Sequence, residues 1–208
     1  MPLQNRVNPY GDVFRTQARG SMMGNRGGVL HNDQYEIVRD FKSRRWITCL
    51  LEFKNRHRVV MSPRRYTELF FLDEAVALDA GHRPCAECRR EQFNAFRDAW
   101  RKRSGVDHLP MADEMDVELH TTRIGVQRPK VTYEATLDSL PDGTFVRVDK
   151  NAYLLFEGAL LLWSPEGYVR REAYPQDEIV AVLTPKPIVE CFRHGYKASV
   201  HESAMAVK

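Results

Sequence analysis

Cys85 and Cys88 close the run Gly81-His82-Arg83-Pro84-Cys85-Ala86-Glu87-Cys88. Their spacing suits metal ligation or dithiol redox chemistry. The patterning ends one helix at Gly81 and starts another after Pro84, and a helix N-terminus stabilises thiolates. A thioredoxin-like dithiol follows a β-strand in a βαβ pattern, whereas a helix and a glycine cap precede this pair, which favours zinc. A redox dithiol and two incidental thiols are the other readings. One structural zinc ion needs four ligands, so two must come from elsewhere.

Cys49 fits a third thiolate and equally a core cysteine, since it shares the apolar face of Ile47, Leu51 and Phe53. His82 and His120 are the candidates for the fourth ligand. His57 is a poor one. A two-residue turn at Lys54-Asn55 sets it on the face opposite Cys49, and a three-residue turn leaves the two ~13 Å apart along the strands.

Catalytic signals are sparse. No Gly-x-Ser-x-Gly, His-Glu-x-x-His or deaminase signature stands beside the cysteines. His31, Arg26 and His120, with Glu118, are the candidates for a metal-assisted hydrolase acting on a phosphate-containing substrate. Arg26 and His31 belong to a Gly-rich segment with Arg15, Arg19 and Asn25, which reads as a phosphate-binding loop or as a basic loop packed on the core.

The elements that must position these groups define an α+β chain. Residues 19–31 read as a structured loop leading into a strand. Trp46–Phe53 and His57–Met61 read as a hairpin, Tyr66–Leu72 as a strand, and Glu74–Ala80 as a short helix begun by Asp73 and closed by Gly81. A helix to about Arg103, a linker over Ser104–Pro110 and a helix over about 112–121 follow. Short β-branched and aromatic runs from Val131 to Leu183 predict an antiparallel meander or small barrel. Pro185 and Pro187 introduce a last helix, Ile188–His194, capped by Gly195. The chain divides into a basic region, 1–110, holding the metal subdomain, and a β-rich subdomain, 111–208.

Charge follows the same division. The net +3 of this 208-residue chain splits into +7 over residues 1–110 and −4 over 111–208. Arginine supplies most of the cations in the basic part, and its planar fork suits phosphate. Arg44, Arg45, Arg56, Arg58, Arg64 and Arg65 flank the predicted hairpin and, with Trp46 and Tyr66, form the pattern of a nucleic-acid surface. A solvated arginine face is the plain alternative. Four cysteines are too few for a disulfide scaffold at this length. No run of about 18 apolar residues occurs, and residues 1–10 lack a leader pattern, so the reading is cytoplasmic with no membrane partner.

Phe70-Phe71-Leu72-Asp73-Glu74-Ala75-Val76-Ala77-Leu78-Asp79-Ala80-Gly81-His82-Arg83-Pro84-Cys85-Ala86-Glu87-Cys88 closely resembles part of the zinc-binding, methylphosphotriester-accepting domain of Ada-type DNA-repair proteins. The likeness spans about 20 residues. It implies a zinc-ligand role for Cys85 and Cys88 and DNA as the partner. The family's first cysteine pair is absent, and Lys54 and Arg58 stand at about those positions. That pair includes the methyl acceptor, so the resemblance implies no alkyl transfer here. The whole chain is also similar to a bacterial family marked by Arg-Gly-x-x-Met-Gly-Asn-Arg-Gly, Tyr-Thr-Glu-Leu-Phe-Phe-Leu-Asp-Glu-Ala and Gly-His-Arg-Pro-Cys, a likeness that brings no activity with it. The expectation is thus a zinc-site protein binding nucleic acid. Metal-dependent hydrolysis and a protein-interaction module using the acidic half are the alternatives.

Overall fold

The computed structural model describes residues 1–57, 59–127, 129–174 and 177–207. It is α+β, with two six-stranded sheets and five helices among the described residues. The first sheet is built from β1 (Gln4–Val7), β2 (Val13–Arg15), β3 (Met22–Arg26), β4 (Trp46–Cys49), β5 (Leu69–Phe71) and the two-residue β6 (Arg83–Pro84), in the order β2-β1-β5-β3-β4-β6. Helix α1 (Glu74–Asp79) lies between β5 and β6 in the chain, followed by α2 (Arg90–Ser104) and α3 (Ala112–Arg123).

The second sheet is antiparallel throughout: β7 (Tyr133–Thr136), β8 (Phe145–Val148), β9 (Asn151–Phe156), β10 (Ala159–Ser164), β11 (Gly167–Glu172) and β12 (Ile179–Val182). Strands β8 to β11 form the expected meander. α4 (Lys186–Arg193) carries its proline in the first turn, where a missing N–H costs nothing, and α5 (Ser203–Ala206) follows.

α1 explains how the two sheets meet. Asp73 Oδ1 accepts the Val76 N–H at 2.9 Å, capping the helix start. Every residue of α1 is buried, and small side chains let both layers approach it. Ala75, Val76 and Ala77 belong to one core cluster with Phe71 from the first sheet and Phe145, Leu154 and Leu161 from the second. That cluster draws on residues from both sides of Pro110. A second cluster packs Phe93, Phe96 and Trp100 of α2 against Met115, Leu119, Ile188 and Phe192, the apolar stripe expected of an amphipathic helix. Gly81 ends α1 at φ +83°, and a Cβ there would stand 2.5 Å from Arg123 Cδ. Both the left-handed backbone and the close approach require glycine.

Three expectations are corrected. The Gly-rich segment is not only a loop: Met22–Arg26 is a central strand, paired antiparallel to β4 and to β5. Among the described residues, the 46–61 hairpin does not form. β4 stops at Cys49 and pairs with β3 and, in parallel, with β6, while Leu50 and Leu51 turn outward and Lys54 and Asn55 adopt positive φ. Finally, the chain does not enter a helix at Pro84. Arg83–Pro84 completes the sheet edge, and residues 85–89 turn before α2 begins at Arg90.

Candidate metal centre

The parallel pairing of β4 with β6 assembles the site. Ile47 is in register with Arg83 and Thr48 with Pro84, and the Cys85 N–H donates to the Thr48 carbonyl at 2.9 Å. Cys85 therefore lies beside Cys49, the last residue of β4. The turn that follows is closed by the Arg89 N–H on the Cys85 carbonyl at 3.2 Å, which brings Cys88 back to the same point. The sulfurs of Cys49, Cys85 and Cys88 all lie within 4.8 Å of one another. Sulfurs on one tetrahedral ion stand about 3.8 Å apart for bonds of about 2.3 Å, so small side-chain adjustments suffice to hold a metal.

The backbone supports negative charge there. The Glu87 N–H points at Cys85 Sγ at 3.4 Å. Cys85 is held below the usual thiol range, first by the Cys49 thiol and then by Cys88, with backbone donors at Cys88 and Glu87 adding to the effect. The same contacts push Cys49 up, through Cys85 and then Cys88. All three cysteines line a cavity of about 170 Å³ shared with Met23, Ile47 and Phe53. Three protein donors would leave a tetrahedral ion one position to be filled from elsewhere, and the cavity lined by the same thiols has room for such a donor.

Two buried ion pairs brace the turn from either side, and neither carboxylate was singled out from sequence. Before the cysteines, Arg83 grips Asp116 of α3 through Nε–Oδ1 at 2.9 Å and Nη2–Oδ2 at 2.8 Å. After them, Arg89 pairs with Glu74 of α1 at 2.8 Å. All four side chains are buried. No local pattern marks either carboxylate, since Asp116 reaches Arg83 from α3 and Glu74 reaches Arg89 from α1 only through the tertiary fold.

The histidines do not join the thiols. Among the described residues, the metal-capable group holds three cysteines and no histidine. His82 is fully buried, with its ring 5.1 Å from Trp46 and 4.7 Å from Phe71. His120 packs on Phe41 and meets Arg123 Nη2 through Nδ1 at 3.1 Å. His31 Nδ1 is bonded to Thr67 Oγ1 at 2.7 Å, and His57 is exposed. Arg26 is buried with its guanidinium over Trp46, as is Arg123. Arg26 and His120 thus share the neighbourhood of Trp46, while His31 is engaged with Thr67.

The arginines proposed for nucleic acid are exposed at positions 44, 45, 56, 64 and 65; Arg58 lies outside the described residues. Arg45 pairs with Asp113 at 3.1 Å and Arg56 with Glu87 at 2.6 Å. Exposed pairs of this kind are screened by solvent and contribute little to stability.

His82 gives a pH prediction. Burial first, then the charges of Arg26 and Arg123, hold its pKa well below 6.5. The folded chain keeps the ring neutral while the unfolded chain binds a proton below about pH 6.5, so this group's contribution to stability is lost as pH falls. Relative to His82→Phe, the native chain should lose about 1.4 kcal/mol per pH unit below that point. Urea denaturation of both proteins at pH 7.5 and 5.0 reads the difference. An unchanged gap between them would mean that the buried ring takes up a proton as readily as the unfolded one.

Among the described residues, no helix is long and apolar enough to cross a membrane. Comparison of the chain with family models, with curated proteins and with solved structures finds no match.

Proposed function

We propose that this chain is a zinc-thiolate protein that binds nucleic acid, the ion resting on Cys49, Cys85 and Cys88 and anchoring the segment that carries Arg56, Arg64 and Arg65. The supporting observation is the convergence of three sulfurs within 4.8 Å at the point where that segment leaves β4. An all-thiolate set suits zinc over harder ions, which prefer oxygen. The ion would tie the end of β4 to the turn before α2 and so fix the departure of residues 50–68, a structural role that requires a fourth donor from outside the three cysteines. Their far end is held by Glu68, whose carboxylate accepts the Met61 N–H at 2.7 Å. Phe53 lies beneath Lys54 and Arg56 at 5.1 and 5.5 Å, which offers a stacking surface beside phosphate-seeking cations. DNA is the partner to test first, in keeping with the Ada-like run.

Fluorescence anisotropy with duplex and single-stranded DNA between 50 and 200 mM salt tests this reading. Binding should weaken steeply with salt. Arg56→Ala/Arg64→Ala/Arg65→Ala should lower the duplex salt slope by up to about 3, one for each phosphate no longer neutralised, with the fold intact because all three side chains are exposed. A slope identical in the native and triple-variant chains would rule out this surface.

Metal-assisted hydrolysis is the second reading, favoured by the cavity beside the thiols. Zinc with an open position supplies an activated water. Tyr66 and Glu87 line that cavity, and they replace His31, Arg26 and His120 as the groups to mutate. Turnover of a phosphodiester probe that survives Glu87→Gln and Tyr66→Phe would exclude them.

A further inference from the structure

A cavity of about 400 Å³ lies against Trp46, and its lining includes both Arg26 and Arg123. Its volume falls in the range of about 300–1,000 Å³ typical of small-molecule sites. Both guanidinium groups line it, and both residues are almost completely buried, at 3 % and 2 % exposure. Their Cζ atoms stand 4.3 and 4.0 Å from the centre of the Trp46 ring.

Neither arginine forms an ion pair with any described carboxylate. Asp40 and Asp12 act on Arg26, and Asp116 on Arg123, only at longer range. Arg26 donates through Nη2 to the Gly11 carbonyl at 2.8 Å, and Arg123 to the carbonyls of Gly81 and Arg44 at 2.7 and 2.6 Å. The Nε atom of each is buried without a hydrogen bond. Burying one charge without a counter-charge costs several kcal/mol, and a second cation beside it adds repulsion that contact with Trp46 only partly offsets. The third cation on the wall differs. Lys130 is paired with Asp79 at 2.8 Å and also donates to the carbonyls of Pro9 and Asp79.

We infer that this cavity is a binding site for a phosphate monoester of up to nucleoside monophosphate size, with Arg26 and Arg123 holding the phosphate. Two planar forks match the several oxygens of a phosphate, whereas a carboxylate satisfies one fork. The volume beyond the arginines accommodates the esterified group, and the carboxylates of Asp12 and Asp40 on the wall disfavour more highly charged ligands. The thiol site lines a separate cavity, so this inference stands apart from the metal reading.

Calorimetric titration of the full chain with inorganic phosphate and with adenosine monophosphate, and with acetate as a simple-charge control, tests it. Both phosphates should bind more tightly than acetate. Arg26→Gln and Arg123→Gln should each weaken adenosine monophosphate at least tenfold. Should either arginine variant fail to fold by circular dichroism, Val13→Phe decides, because it fills the cavity from a partly exposed strand residue and leaves the charges in place; it too should weaken binding at least tenfold. The exposed-surface variant Arg56→Ala/Arg64→Ala/Arg65→Ala should bind as the native chain does. Absence of phosphate binding, equal binding of acetate, full affinity in Val13→Phe, or loss of affinity in the surface variant would each overturn the assignment.

Discussion

On the proposed zinc-thiolate site, Cys85→Ser should reduce bound metal from one equivalent per chain to a trace, and Cys49→Ser and Cys88→Ser should do the same. The three sulfurs form one group within 4.8 Å, and each supplies a third of the protein's donors. Loss of a supporting hydrogen bond typically costs 10–100-fold in metal affinity, so loss of a donor should exceed about 100-fold. His82→Ala, by contrast, should keep a full equivalent, because that ring is packed between Trp46 and Phe71. Elemental mass spectrometry of protein purified without chelator reads all four variants. Metal retained in Cys49→Ser but lost from His82→Ala would replace the proposed ligand set. A native chain free of metal, with titratable thiols at 85 and 88, would restore the redox reading.

The difference between Cys49 and the other two cysteines shows where sequence reasoning reaches its limit. Cys85 and Cys88 announce themselves through spacing, because a tight turn needs only local residues. Cys49 reaches them through the parallel pairing of β4 with β6, across an intervening strand and helix, and no local pattern carries that register. The capping of α1 by Asp73 and its end at Gly81 were legible because both depend on the backbone within one turn. The 46–61 hairpin was misread for the complementary reason. Apolar alternation through Phe53 suggests a longer strand, whereas β4 pairs with β6 and with β3, whose Gly24 belongs to a segment that reads as loop. Gly24 is needed there for a tertiary reason: a Cβ would stand 2.3 Å from the Ile47 carbonyl oxygen. The arginines divide in the same way. Sequence left Arg26 open between a phosphate-binding loop and a basic loop packed on the core, and it is buried against Trp46, while Arg44, Arg56, Arg64 and Arg65 stay in solvent.

Asp116→Ala should cost about 3–5 kcal/mol of stability, the typical penalty for breaking a buried ion pair from one side. Two hydrogen bonds hold this carboxylate to Arg83, at 2.9 and 2.8 Å, and the two side chains are 3 % and 1 % exposed. Water cannot easily replace the missing partner, so the guanidinium is left with only its 3.3 Å bond to the Pro84 carbonyl and the nearby Phe93 ring. Because Arg83 precedes Pro84 and Cys85 directly, its displacement should also loosen the thiol turn and lower metal affinity by about 10–100-fold. Denaturant titration and a competition assay with a chelator measure the two effects separately. Arg83→Met/Asp116→Leu distinguishes stability from positioning: it removes both charges and should recover most of the stability, since apolar replacement of a buried pair is often neutral or better. If metal affinity recovers together with stability in that double variant, packing alone suffices to align Cys85. If stability returns and affinity does not, the directed hydrogen bonds of the pair are what hold the cysteine turn in register with Cys49.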